Sequence, residues 1–332
     1  MLEQMCVGAG AWWAWVAFLV FVVFMLFLDL KLFHKKTHDV GIKEALLWTL
    51  FWVCLALVFN AFIWYYCGAI KGLEFLTGYL LEKSLSVDNL FVILLVFTSF
   101  SVPSKYQHRV LFWGILGALL LRGTLILLGT AIVTRFEWVF YIFGIFLIWT
   151  GINMFRDEEE EFDKDKSLAV RCVRKIFPVK KGMEDESFFS RIDGKFAVTM
   201  LFVALIVVEF TDVLFAFDSI PAIFAITTNP FIVFTSNVFA ILGLRSLYFV
   251  IAKAHDMFTH LKTGLAIILI FIGIKLLIKH WYNIGIVVSL EVVITVLTVA
   301  VAYSIVETRM HHCAVEDFDV PKRKRLAPKK RK

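Results

Sequence analysis

Apolar residues run along this chain in blocks about as long as a bilayer is thick, separated by short polar stretches. A membrane-spanning helix needs about 20 mostly apolar residues. On that rule the pattern predicts nine spans, at 9–30, 44–66, 73–100, 109–133, 137–155, 196–221, 230–252, 263–279 and 284–306. The fold class expected is therefore an all-α polytopic membrane protein. The first block is not read as a cleaved signal peptide, because MLEQMCVGAG carries Glu3 and no Lys or Arg, and its apolar run exceeds a signal core.

The polar stretches orient the chain. With the N-terminus outside, 27 Lys and Arg fall in the inner segments against three outside, Lys71, Arg135 and Lys279. Inner loops carry such an excess, so the N-terminus is expected outside and the C-terminus in the cytoplasm, in a cell inner membrane. The segment 156–195 begins with the run DEEEEFDKDK and turns basic, and reads as a solvated linker with short helical pieces at most.

Composition agrees: hydrophobic residues make up 60% of the chain, with 35 Phe, where about 45–50% is usual for soluble domains. The net charge of +6 sits mostly in inner loops and tail, so it reports topology and implies no nucleic-acid partner. Five scattered cysteines, with no CxxC, offer no disulfide framework. His311, His312 and Cys313 are too few for a metal site. The tail PKRKRLAPKKRK suits anionic lipid.

Two parts of the chain share three landmarks in the same order. Acid pairs six residues apart come first, Glu82/Asp88 and Asp212/Asp218. An arginine follows in the next span, Arg122 in LLLRGTLILLG and Arg245 in ILGLRSLYFVI. A glycine closes the series, Gly151 and Gly273. Each copy has three spans, and an odd number inverts the second copy in the membrane, an arrangement habitual in secondary transporters. The chain then divides into two N-terminal spans (1–72), a first repeat (73–155), a charged linker (156–195), a second repeat (196–280), a last span (281–306) and a basic tail (307–332).

An ionised side chain at the centre of a membrane helix costs roughly 2.5–3.5 kcal/mol, so the acids within these spans need a reason. Glu82, Asp88, Glu209, Asp212 and Asp218 stand in the two copies, and Glu291, alone in the last span, reads as structural. Inversion suggests a ladder, with Asp88 and Asp218 paired across the pseudo-axis and Glu82 and Asp212 at the two mouths. Six helical residues turn by about 240°, so one straight helix cannot aim both of its acids at one point, and Pro221 is the expected break. The histidines lie in loops, tails or near a membrane boundary, and no cysteine stands beside the acids. Oxygen ligands of this kind suit Mn²⁺, Mg²⁺, Ca²⁺ or H⁺ and suit Zn²⁺ or Cu⁺ poorly. Arg122, Arg245 and Lys275 are expected as counter-ions or coupling groups; Lys275 stands where the first copy has Asn153. A plainer reading has Asp88 and Asp218 merely pairing with these bases to hold the bundle together.

The stretches EKSLSVDNLFV, VEFTDVLFAFDSIPA, ILGLRSLYFVIA and GIKLLI resemble the hallmark segments of the TerC (tellurite-resistance protein C) family, over roughly residues 73–280. The resemblance implies a protein of the broader LysE-like transporter group, linked in bacteria to manganese export and to metal or alkaline stress. It also implies relatives associated with tellurite resistance, metallation of exported enzymes or membrane-protein insertion. The motif acids carried over are Glu82, Asp88, Glu209, Asp212 and Asp218, with Arg122, Arg245 and Lys275 as motif bases. The function expected is secondary export of Mn²⁺ or a similar hard divalent cation in exchange for protons, with no resident cofactor. The alternative is an assembly or metallation factor working with protein-export machinery. No GxxxxGK[ST] loop and no GxGD motif occurs, so no enzyme is expected.

Overall fold

A computed structural model describes residues 12–33, 41–155, 167–180, 187–192, 195–253, 261–282 and 284–318. The acidic run 157–166 and the tail 321–332 lie outside them. Eleven helices occur among the described residues: α1 (Trp12–Phe33), α2 (Ile42–Cys67), α3 (Ala69–Ser99), α4 (Ser104–Arg135), α5 (Val139–Met154), α6 (Leu168–Ile176), α7 (Met200–Phe224), α8 (Pro230–Leu242), α9 (Leu244–Lys253), α10 (Leu261–Ile278) and α11 (Ile286–Phe318). Five are long and apolar enough to cross a membrane, or six if the bent pair α8–α9 counts as one span. Helices α1 and α5 add shorter apolar stretches. Helix α3, at 31 residues, has the length but also carries Lys71, Glu74, Glu82, Lys83 and Asp88.

The bundle reverses the polarity of a soluble protein. Val20, Val23 and Phe27 of α1, Leu47 and Val58 of α2 and Val299 of α11 face outward. Thr77, Glu82, Asn89, Arg122, Asp212, Ser236 and Asn237 are buried. Lipid gives helices no hydrophobic reason to associate, so close packing and interior polar contacts must hold them together.

Helix α8 is the centre, with every residue from Phe231 to Leu242 buried. Asn229 caps it by accepting from the Phe231 and Ile232 N–H groups at 3.0 and 3.3 Å, and Pro230 opens it where an N–H would have no helical partner. At Gly243 the chain bends by 45° into α9. There Lys83 of α3 donates to the Ala240 carbonyl at 3.2 Å, one of the acceptors a helix end leaves over. The break therefore falls at Gly243 and not at Pro221. Helix α7 runs through Pro221 to Phe224, because a proline one turn from a helix end removes a single hydrogen bond.

Helices α3 and α7 run antiparallel. Glu74 meets Thr227, Gly78 meets Ile223 and Asn89 meets Asp212, each advance along α3 matched by an equal retreat along α7. Helix α3 also packs on α8, as α4 packs on α7, and α5 packs along α10. The last contact is backbone-close: a Cβ at Gly144 would come within 2.9 Å of the Gly273 carbonyl, and one at Gly273 within 2.7 Å of the Gly144 carbonyl.

The linker holds more than short helical pieces. Helix α6 is followed by a three-stranded sheet of order β1-β3-β2, with β1 (Val179–Lys180) parallel and β2 (Phe189–Ile192) antiparallel to β3 (Lys195–Thr199). The residues FSRI and KFAVT favour strands, and the intervening Asp193-Gly194 is a hairpin signal in the sequence. Cys67 is disulfide-bonded, correcting the reading of the cysteines as unbridged; Cys54 and Cys172 are free.

Gly144→Val is expected to pry α5 from α10 and lower stability by about 1–3 kcal/mol, the usual cost of overpacking. Thermal unfolding in detergent measures it, with Gly41→Ala, which meets nothing within 4 Å, as the neutral control.

Candidate functional site

The acids gather where α3 and α7 cross, and an arginine from α4 joins them. Arg122 donates to Asp212 through Nε at 3.0 Å and Nη2 at 2.7 Å, while its Nη1 contacts Glu82 Oε1. The bidentate fork fixes orientation as well as charge. Asn89 adds a donor to Asp212 Oδ1 at 2.9 Å, and the Ser86 hydroxyl lies 3.5 Å from Glu82 Oε1. Glu82, Arg122 and Asp212 are 0%, 2% and 5% exposed, so solvent does little to screen their charges.

Glu82 and Asp212 thus do not occupy opposite mouths of a ladder. Antiparallel crossing brings both within reach of one guanidinium, whose long side chain bridges their difference in depth. Asp88 and Asp218 flank the same crossing, partly buried, and close enough for their charges to act on each other. Asp218 accepts a hydrogen bond from Thr150 of α5 at 3.1 Å, and Asp88 feels the charge of Lys262 on α10. Glu209 lies one turn before Asp212, and its carboxylate occupies the space that a side chain at Gly117 would fill.

Two of the expected bases stand elsewhere. Arg245 is buried on α9. Lys275 donates to Ser289 of α11 at 2.8 Å and lines a cavity toward one end of the bundle. Thr150 escaped the sequence reading; its signal was a lone hydroxyl in the apolar run FLIWTGI, beside the landmark Gly151.

The site offers unused oxygens. Among the described residues, Glu82 Oε2, Asn89 Oδ1 and Glu209 Oε2 are buried without a hydrogen-bond partner. No three of His, Cys, Asp and Glu among the described residues stand together as a ready metal site. Arg122 occupies the ground between Glu82 and Asp212.

These features define a polytopic membrane protein with an acid-rich polar centre, and comparison with known proteins narrows the class. Residues 67–312 match the model of the "Integral membrane protein TerC family", and the chain belongs to that family. It is 48% identical over 295 residues to "Uncharacterized membrane protein STKORF319" of Myxococcus xanthus, covering 89% of this chain and 92% of that one. A Salmonella typhi protein named "Putative membrane-bound redox modulator Alx" is 47% identical over 294 residues, covering 86% and 90% of the two chains. The protein of the same name from Escherichia coli K12 is 48% identical over 279 residues, covering 81% and 87%. No solved structure matches the chain.

Removing the guanidinium should leave two buried carboxylates facing each other. Arg122→Met is expected to cost on the order of 3–5 kcal/mol, the range for breaking a buried ion pair. Adding Asp212→Asn should recover part of that loss. A double-mutant cycle on unfolding in mixed micelles measures both effects.

Proposed function

We propose that this protein is a secondary transporter exporting Mn²⁺ or a similar hard divalent cation, through a carboxylate site at the interface of two inverted three-span repeats. The observation that carries the reading is the crossing of α3 and α7, which joins Glu82 and Asp212 on Arg122 and brings Asp88 and Asp218 of the same two helices within range of each other's charge. Membrane acids that face a bundle interior are costly and mark ion paths. The repeat reading is supported by reciprocity. The first helix of each copy packs on the second helix of the other, the two third helices pack together, and the two first helices cross antiparallel. It extends the five or six evident spans to nine, with the N-terminus outside and the C-terminus in the cytoplasm of a cell inner membrane.

In this mechanism Arg122 stands in for the cargo. While it bridges Glu82 and Asp212, it offsets one of their two negative charges and occupies the ground between them. An arriving divalent ion competes with the guanidinium for the carboxylates and recruits the spare oxygens of Glu82, Asn89 and Glu209. Asp88 and Asp218 supply further carboxylate, and protons balance the charge as the ion leaves. Rocking of one repeat against the other opens the site to alternate sides. The redox name carried by the relatives fits such a role, since moving a redox-active divalent metal changes the chemistry it takes part in.

A second reading is a membrane assembly or metallation factor acting with protein-export machinery. One observation favours it: the linker bears a folded sheet whose Phe189 and Phe196 are exposed side by side, ring centroids 5.5 Å apart, a surface suited to a protein partner.

Reconstitution in proteoliposomes under an imposed proton gradient separates the two. Saturable Mn²⁺ flux is expected in the wild type, with a loss of about a hundredfold in Asp88→Asn/Asp218→Asn, as for removal of charge-assisted contacts worth about 1.5–3 kcal/mol each. Absence of flux from folded wild-type protein would remove the transporter reading and favour the assembly factor.

A further inference from the structure

One end of the bundle holds a cavity of about 930 Å³ that takes no part in the acid cluster. Its walls come from the start of α3, the ends of α4, α7 and α10, and the N-terminal ends of α8 and α11. Its size is that of a pocket for a small organic molecule, typically about 300–1,000 Å³.

Its charge is the opposite of the acid cluster's. Among the described lining residues Lys71, Lys275 and Lys279 face a single acid, Glu74. That acid is already engaged, accepting from Lys71 at 2.9 and 3.1 Å and from the Thr227 hydroxyl at 2.6 Å. Lys275 has only the neutral Ser289 hydroxyl, and Lys279 lies over the Phe140 ring at 4.1 Å. Among the described residues, neither has a carboxylate partner. Two helix N-termini open onto the same space, at Asn229–Pro230 and Gly285–Ile286, and each brings the positive end of a helix dipole. An independent sign of a missing ligand is Thr130. It lines the cavity, is only 9% exposed, and its buried hydroxyl has no hydrogen-bond partner.

We propose that this cavity binds a phosphate-bearing anion, either free in solution or carried on a lipid headgroup. Unbalanced ammonium groups, the α11 N-terminus and a spare hydroxyl together form a donor set for a multiply charged oxyanion, while the α8 N-terminus, its N–H groups already capped by Asn229, adds only its dipole. A cation has no ligand there, because the one carboxylate is already taken. Lys275 then acts in anion binding and not in ion coupling.

The test uses the full-length protein in a maltoside detergent, titrated calorimetrically with inorganic phosphate, with dihexanoyl phosphatidylglycerol, and with sodium chloride at matched ionic strength. Saturable binding of at least one phosphate-bearing probe is expected, weakened about tenfold in Lys275→Gln/Lys279→Gln, as loss of a charged hydrogen bond predicts. Binding of inorganic phosphate assigns the site to a free anion; binding of the lipid alone assigns it to a headgroup. Failure of folded wild-type protein to bind either probe saturably overturns the proposal, and so does equal binding by wild type and variant. Should the double variant not fold, Lys279→Gln at its exposed position and Thr130→Val carry the same comparison. The outcome is independent of metal flux, since none of the altered residues belongs to the acid cluster.

Discussion

The structure depends on one constraint: a guanidinium buried among carboxylates must have its charge answered where water cannot reach. Arg122 meets that condition by holding Asp212 with two hydrogen bonds and Glu82 with its remaining arm. Three helices are tied by one side chain, because Glu82 comes from α3, Arg122 from α4 and Asp212 from α7. The desolvation cost of buried ions is recovered only in a closely matched geometry, so the crossing of α3 and α7 has little freedom to slide. Asn89 reinforces the same point by donating to Asp212.

Packing around that point follows membrane rules. The apolar sides of α1, α2 and α11 face outward, while the centre carries the polar residues. Small residues let backbones approach where no polar tie exists, as at Gly144 and Gly273. Helix α8, wholly buried, needs its ends satisfied internally. The Asn229 side chain serves its start and the Lys83 ammonium its end. Each device removes a lone polar group from a place where it would cost several kcal/mol.

Charge is divided in space. Carboxylates gather at the helix crossing, with Arg122 as resident counter-ion, while lysines gather around a separate cavity at one end of the bundle. The two regions share helices α3, α4, α7 and α10 but no charged side chain, so opposite charges are held apart within one bundle.

The sequence by itself determined the membrane class, the predominance of helix and the identity of the costly acids. Transfer of a side chain into lipid is nearly a local quantity, summed residue by residue along a span. The like spacing of Arg122 and Gly151 and of Arg245 and Gly273 was legible because spacing survives in one dimension. The linker sheet was readable in principle from FSRI, Asp193-Gly194 and KFAVT, but hydropathy over 20-residue windows passes over such short alternations. What only the tertiary structure decided was which groups meet. A depth ladder assumes that acids stay at the level of their backbones, whereas Arg122 reaches across two helices to unite Glu82 and Asp212. Lys275 turned toward Ser289 and the end cavity, and the helix break fell at Gly243 instead of Pro221. Those outcomes depend on crossing geometry and side-chain reach, which no spacing along a single chain contains.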